Sequence, residues 1–167
     1  MLKPMDPISL PILAQNREEA NLHFRRFLKR QCRLSTEELD TTVHEVTEQV
    51  WADIDCTQCA NFCKIFRPTF AAQDVDRLAG RLAISRQELI DTYLEEHVRD
   101  ADAPWITRAI PSPFLKDNRC SVYQDRPEAR AVYLHLFQPE FVSRTVSMVQ
   151  GTFTCPMIYE VMERPKK

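Results

Sequence analysis

The chain predicts a mainly α-helical fold with few, short extended segments, and three observations carry that prediction. A short polar residue is followed three positions later by Glu at Asn16/Glu19, Ser35/Glu38 and Ser85/Glu88, each pair preceding a recurrent apolar stripe. This is the capping box followed by the period of one helix face. Two glycines stand against eleven prolines, a composition poor in tight hairpins and in glycine-rich phosphate loops. The 167 residues, 44% hydrophobic and 28% charged, suit a single small globular domain. A domain of that length buries roughly two-thirds of its unfolded surface, so it can build a core of its own.

Taken in order, residues 1–13 read as an extended, proline-punctuated arm. Asn16 then opens a helix to about Arg30, with Ala20, Phe24, Phe27 and Leu28 as its apolar stripe. Ser35 opens a second helix to about Ile54, with Leu39, Val43, Val46 and Val50 on one face. Residues 17–33 hold six basic and two acidic side chains, and residues 34–55 seven acidic and no Lys or Arg. Residues 14–55 are therefore expected to fold as an antiparallel helical hairpin with opposite charges across the seam, each exposed pair contributing tenths of a kcal/mol.

Beyond Pro68, Ala72 to Arg81 reads as a helix burying Val75, Leu78, Ala79 and Leu82. Ser85 starts another, through about His97, with Leu89, Ile90, Tyr93 and Leu94 inward. Residues 100–119 are irregular, with an extended piece near Trp105 to Ile110, and Cys120 to Tyr123 is β-prone before a turn at Asp125-Arg126-Pro127. Helices are expected over Glu128 to Phe137, over Phe141 to Val149, and from Pro156, which sits in the first-turn position that proline tolerates.

The chemistry concentrates at Cys56-Thr57-Gln58-Cys59-Ala60-Asn61-Phe62-Cys63, where three of the six cysteines fall within eight residues. A Cys-x-x-Cys turn converges two thiolates on one point, the usual seat of zinc or an iron–sulfur cluster. The third thiol at Cys63 argues against a plain redox dithiol. No signal peptide or membrane-spanning run is apparent, so a cytoplasmic location is expected, and clustered cysteines there read as metal-binding or catalytic rather than disulfide-forming.

These residues resemble the widespread bacterial cysteine-cluster proteins of the CxxCxxCC, or YkgJ, family, a zinc- or iron-chelating domain. Its pattern is C-x2-C-x2-C-C, a following helix, C-x-F-L, C-x-I-Y-x2-R-P-x2-C-R and a late C-P. Cys56 and Cys59 match the first pair, Cys63 the last cysteine of the cluster, and Ala72 to Leu78 the helix. Cys120 to Pro127 and Cys155-Pro156 match the later motifs. The third cluster cysteine is replaced by Phe62, another by Ser112 and a third by Arg130, leaving five of the family's eight.

The resemblance implies a cysteine-cluster metal-chelating domain over residues 56–163 and one metal centre, since five thiols suffice for one four-coordinate site. Cys56, Cys59 and Cys120 are the first choices, with Cys155 or Cys63 completing the set. Cys155 heads a helix whose dipole favours thiolate. Arg130 could offset the charge of a four-thiolate centre. Zinc in a structural role is favoured over an iron–sulfur cluster. The resemblance also leaves open an iron–sulfur oxidoreductase or a flagellin-lysine-methylase-like enzyme, although no nucleotide or S-adenosylmethionine motif is present.

Other groups read as structural. Cys32 has no sequence partner, and His23, His44, His97 and His135 have no i, i+4 companion for a metal-binding helix. Asp74 and Asp76 sit where a helix dipole welcomes a carboxylate. Leu78 to Leu89 mimics a helix-turn-helix with Arg86 and Gln87 placed to meet bases, but Glu88, Asp91, Glu95 and Glu96 would repel phosphates. A net charge of −2 offers no general attraction to nucleic acid or anionic membrane. The expected partners are a metal ion and, for a scaffold or interaction module, another protein.

Overall fold

A computed structural model describes residues 9–55, 59–131 and 136–166, and it is mainly helical. The helices are α1 (Ser9–Arg30), α2 (Thr36–Asp53), α3 (Asn61–Ile65), α4 (Ala72–Leu82), α5 (Arg86–Tyr93), α6 (Glu128–Ala131), α7 (Phe141–Gly151) and α8 (Pro156–Glu163). Short strands intervene: β1 (Thr69–Phe70), β2 (Leu94–Glu96), β3 (Trp105–Thr107), β4 (Leu115–Lys116) and β5 (Arg119–Cys120). The described residues form two compact units, one ending at Asn61 and resuming at Leu136, the other running from Phe62 to Ala131.

In the first unit α1 is already helical at Ser9, where an extended arm was expected up to residue 13. Pro11 lies in the first turn, whose N–H groups have no intrahelical acceptor, so the ring breaks nothing there. Residues 1–8 of that arm lie outside the described residues. The buried face of α1 carries Leu10, Ala14, Asn21 and Leu28, while Phe27 stays 46% exposed. A polar residue in mid-stripe is what hid this face. Asn21 is sheltered because its side-chain oxygen accepts a hydrogen bond from Lys166, which also pairs with Glu163 at 2.5 Å.

Helix α2 opens as its sequence dictates. The Ser35 N–H donates to Glu38 Oε2 at 2.8 Å, and the Glu38 N–H donates to Ser35 Oγ at 3.2 Å. The expected α1–α2 hairpin is replaced by another packing, in which each helix lies chiefly against α7 and α8. Their opposite charges are met there instead. Arg17 of α1 pairs with Glu163 at 2.6 Å, and Asp53 of α2 with Arg164 at 2.6 Å. Gly151 permits the close approach of α7 and α8, since a Cβ there would lie 2.7 Å from Ile158 Cδ1.

One contact ties α2 to α7 directly. Glu140, in the left-handed region at φ 59°, supplies no side-chain cap to α7. Asp40 caps it from across the unit: its carboxylate accepts the Glu140 N–H at 2.7 Å and the Phe141 N–H at 2.9 Å. These are orphan donors of a helix N-terminus, and a carboxylate is the favourable charge for that end.

The second unit packs α4 and α5 around Phe70, Val75, Leu78, Leu89, Leu94, Phe114 and Val122. Asp74 is buried and serves two helix starts, accepting the Ala71 N–H at 3.1 Å and the Glu128 N–H at 3.2 Å. Ser85 Oγ accepts the Glu88 N–H at 3.1 Å and opens α5 as expected. The helix expected to reach His97 stops at Tyr93. Leu94 turns extended (φ −119°, ψ 159°), and Leu94 to Glu96 pair antiparallel with β3, which also pairs with β1. Leu94 is buried on either path, so periodicity could not separate them; the strand wins by pairing with β3. Arg67 secures this sheet by donating to the Thr107 carbonyl and the Glu95 carboxylate. The expected extended piece at Cys120 to Tyr123 is shorter: β5 covers Arg119–Cys120, and a 3-10 turn takes over at Tyr123–Asp125.

Replacing Asp40 by Ala leaves one buried and one part-buried donor without their cap and should destabilise the protein by about 2 kcal/mol. Asp76→Ala, at an exposed ion pair with Arg86, should cost less than about 1 kcal/mol. Urea midpoints of the two variants check this ordering.

Candidate metal centre

Five cysteines were expected to supply the sulfur. Cys56 lies outside the described residues. Cys59 and Cys155 belong to the first unit, Cys63 and Cys120 to the second. Among the described residues no group of three His, Cys, Asp or Glu side chains gathers in a metal-holding arrangement.

Cys59 and Cys155, far apart in sequence, lie near enough for the charge of Cys59 to be felt at the Cys155 thiol. Cys155 is the N-cap of α8, extended at φ −123° and ψ 113°, with Pro156 next and its own N–H bonded to the Gly151 carbonyl at 2.9 Å. Part of the residue is exposed, but its thiol is enclosed densely enough for desolvation to dominate, and burial pushes it up from about 9.0 to about 11. The N–H groups of Ile158 and Met157 pull the other way, and the neighbouring Cys59 pushes up again. The expectation that the helix dipole favours thiolate is therefore corrected. The dipole acts, but loss of hydration outweighs it, and without a cation the sulfur keeps its proton.

Cys59 is half-buried and precedes Ala60, a buried residue in the left-handed region at φ 52°. That bend leads directly into α3, which starts at Asn61. It carries no sequence signal, because left-handed turns are usually marked by Gly or Asn.

In the second unit Cys63 is buried on α3. Its carbonyl accepts the Ser112 N–H at 2.7 Å, placing the two residues side by side. The Leu115 N–H donates to the Ser112 carbonyl at 2.9 Å, and Leu115 pairs with Cys120 across the β4–β5 hairpin. Asp117 and Asn118, at φ 48° and 61°, form its two-residue loop, as the primed hairpin turns require. One run of hydrogen bonds thus links Cys63, Ser112 and Cys120. Phe62, where the pattern has a third thiol, stacks on Phe66 at 4.5 Å between ring centroids. The side chain of Arg130, expected to offset thiolate charge, lies outside the described residues.

The remaining candidates are absorbed by the fold. Cys32 sits in the turn after α1, its N–H bonded to the Phe27 carbonyl at 3.0 Å. His44 lies against Phe137 at 5.7 Å, and His135 lies outside the described residues. In the helix-turn-helix of α4 and α5, Arg86 pairs with Asp76 at 2.5 Å and Gln87 donates to Asp91 at 2.9 Å, so both supposed base-readers are engaged within the protein. Among the described residues no helix is long and apolar enough to cross a membrane.

Residues 55–150, more than half of the chain, match the CxxCxxCC family, described as a "putative zinc- or iron-chelating domain". The chain belongs to that family. No curated protein and no solved structure matches it. The matched stretch of this CxxCxxCC protein stops at residue 150, so the case for Cys155 rests on its burial beside Cys59.

The donors suit the family's metals. Thiols shielded from water, one with two backbone N–H groups nearby, are soft ligands of the kind that select zinc or iron. A bound cation would supply the positive charge that lets such sulfurs ionise, with proton release on uptake.

The raised thiol of Cys155 has a consequence for the metal-free protein. A group whose folded pKa lies above its unfolded value stabilises the fold below the lower pKa and loses that contribution as pH rises through the higher. The shift from about 9.0 to about 11 corresponds to at most about 3 kcal/mol. Chelator-treated wild-type protein should lose that margin over Cys155→Ala between pH 9 and 11, with none lost between pH 7 and 8. Urea denaturation of both proteins across that range is the measurement.

Proposed function

We propose that this CxxCxxCC protein is a cytoplasmic metal-binding protein. It holds one centre through sulfurs drawn from Cys56, Cys59, Cys63, Cys120 and Cys155. Zinc is the favoured occupant and its role is structural, in a small scaffold or interaction module. The observation that carries the reading is that Cys59 lies within electrostatic reach of the enclosed thiol of Cys155, 96 positions further along the chain. An apolar core has no need of two adjoining thiols whose charges would repel, whereas a metal needs such sulfurs from distant segments. A structural zinc site contributes on the order of 10 kcal/mol to folding, so chelation should lower the melting temperature markedly. The readings as iron–sulfur oxidoreductase or flagellin-lysine-methylase-like enzyme draw no support from a particular residue.

Anaerobically purified protein should carry about one equivalent of metal, and elemental analysis with a visible spectrum separates colourless zinc from a coloured iron–sulfur centre. Cys59→Ser should lose most of that metal, while Cys32→Ser should retain it. Equal metal in both variants would sink the ligand assignment.

A further inference from the structure

Helices α1 and α2 pack chiefly against α7 and α8, which leaves much of their opposite charge on the surface of the first unit. On α1, Leu22, Arg26, Lys29 and Arg30 recur at the i, i+4, i+7 and i+8 spacing of one helix face, with Phe27 beside Arg30 and Arg33 just past the helix end. On α2, Glu37, Glu45 and Glu48 carry the opposite sign. Phe137 lies over that helix at 5.7 Å from His44 and 6.5 Å from Trp51, one turn either side of Glu48. These seven charged side chains are exposed, and among the described residues none has an oppositely charged partner. Cations three and four residues apart repel, and the dipole at the end of α1 accounts for Lys29 and Arg30 in its last turn but not for Arg26. Among these charges Leu22, Phe27, Trp51 and Phe137 are 43% to 51% exposed. Aromatic side chains grouped with Arg are the composition of docking surfaces, whereas exposed apolar residues scattered singly are not.

We infer that the first unit docks a second copy of this chain, the basic face of α1 in one copy lying against the acidic, aromatic face of α2 in the other. Charge complementarity selects this occupant. A polyanion, whether nucleic acid or an anionic membrane, meets Glu37, Glu45 and Glu48 on the same unit and a chain of net charge −2. A second copy presents both signs and the apolar anchors at once. Applied twice about a two-fold axis, the same pair of faces closes a dimer, the commonest symmetry of soluble oligomers. Leu22 and Phe27 then face Trp51 and Phe137, so water leaves both apolar groups while carboxylates meet cations. The contact requires no bound metal.

The test is sedimentation velocity of the full-length protein as purified, over concentrations of about 1 to 100 μM. The wild-type chain should move toward dimer with concentration at about 0.05 M salt and back toward monomer at about 0.5 M. Arg26→Glu with Arg30→Glu in one variant, and Glu45→Arg with Glu48→Arg in another, should each weaken dimerisation by about tenfold or more. An equimolar mixture of the two variants should recover a heterodimer, because each reversed face then meets its complement. Far-UV circular dichroism verifies folding of each variant. If a reversal variant does not fold, Gln at the same two positions replaces it, and loss of dimer decides alone. A wild-type chain still monomeric at the highest concentration overturns the inference, as does a dimer indifferent to both reversals or a mixture that fails to recover. A monomeric wild type that binds a fluorescent single-stranded oligonucleotide or phosphatidylserine vesicles through Arg26 and Arg30 also overturns it, assigning the basic face to a polyanion.

Discussion

A thiol enclosed at the head of a helix keeps its proton when lost hydration outweighs the helix's favourable N–H groups, and Cys155 is held in that state. Cys155 heads α8 with backbone N–H groups nearby, an arrangement that would normally favour thiolate, yet enclosure and the adjacent Cys59 hold the proton on. That enclosure disfavours a lone negative charge on Cys155.

Delivering Cys155 to that corner is the work of the C-terminal helices. Helices α7 and α8 lie against α1 and α2, with Gly151 allowing them to approach each other. Asp40 reaches from α2 to cap α7, so the segment leading to Cys155 is anchored by charge-assisted hydrogen bonds as well as apolar contact. The basic α1 and acidic α2 find partners in Glu163 and Arg164. These ion pairs add little energy singly; the burial of Val50, Phe141, Met157 and Val161 is the larger contribution.

In the second unit the departures from the family pattern have local explanations. Phe62, where the pattern has a thiol, stacks on Phe66, and Ser112, where it has another, is buried with its N–H held by the Cys63 carbonyl.

Much of the secondary structure could be read directly, because capping boxes and apolar periodicity act over three or four residues. The capping box of Ser35 with Glu38, the N-cap at Ser85, and the stripe through Val75, Leu78 and Ala79 are examples. The cysteine spacing likewise identified the family. What failed was whatever depended on distant chain. Asn21 looks like a break in an apolar stripe until Lys166 meets it. Leu94 continues a helix until β3 offers a pairing edge, and α1 with α2 form a hairpin until α7 and α8 take their places. By itself the sequence determined most of the helices and the family, since those are properties of neighbouring residues. Only the tertiary structure decided which sulfurs adjoin and which keep their protons. Proximity between Cys59 and Cys155, and the loss of water around them, exist only once the chain has packed.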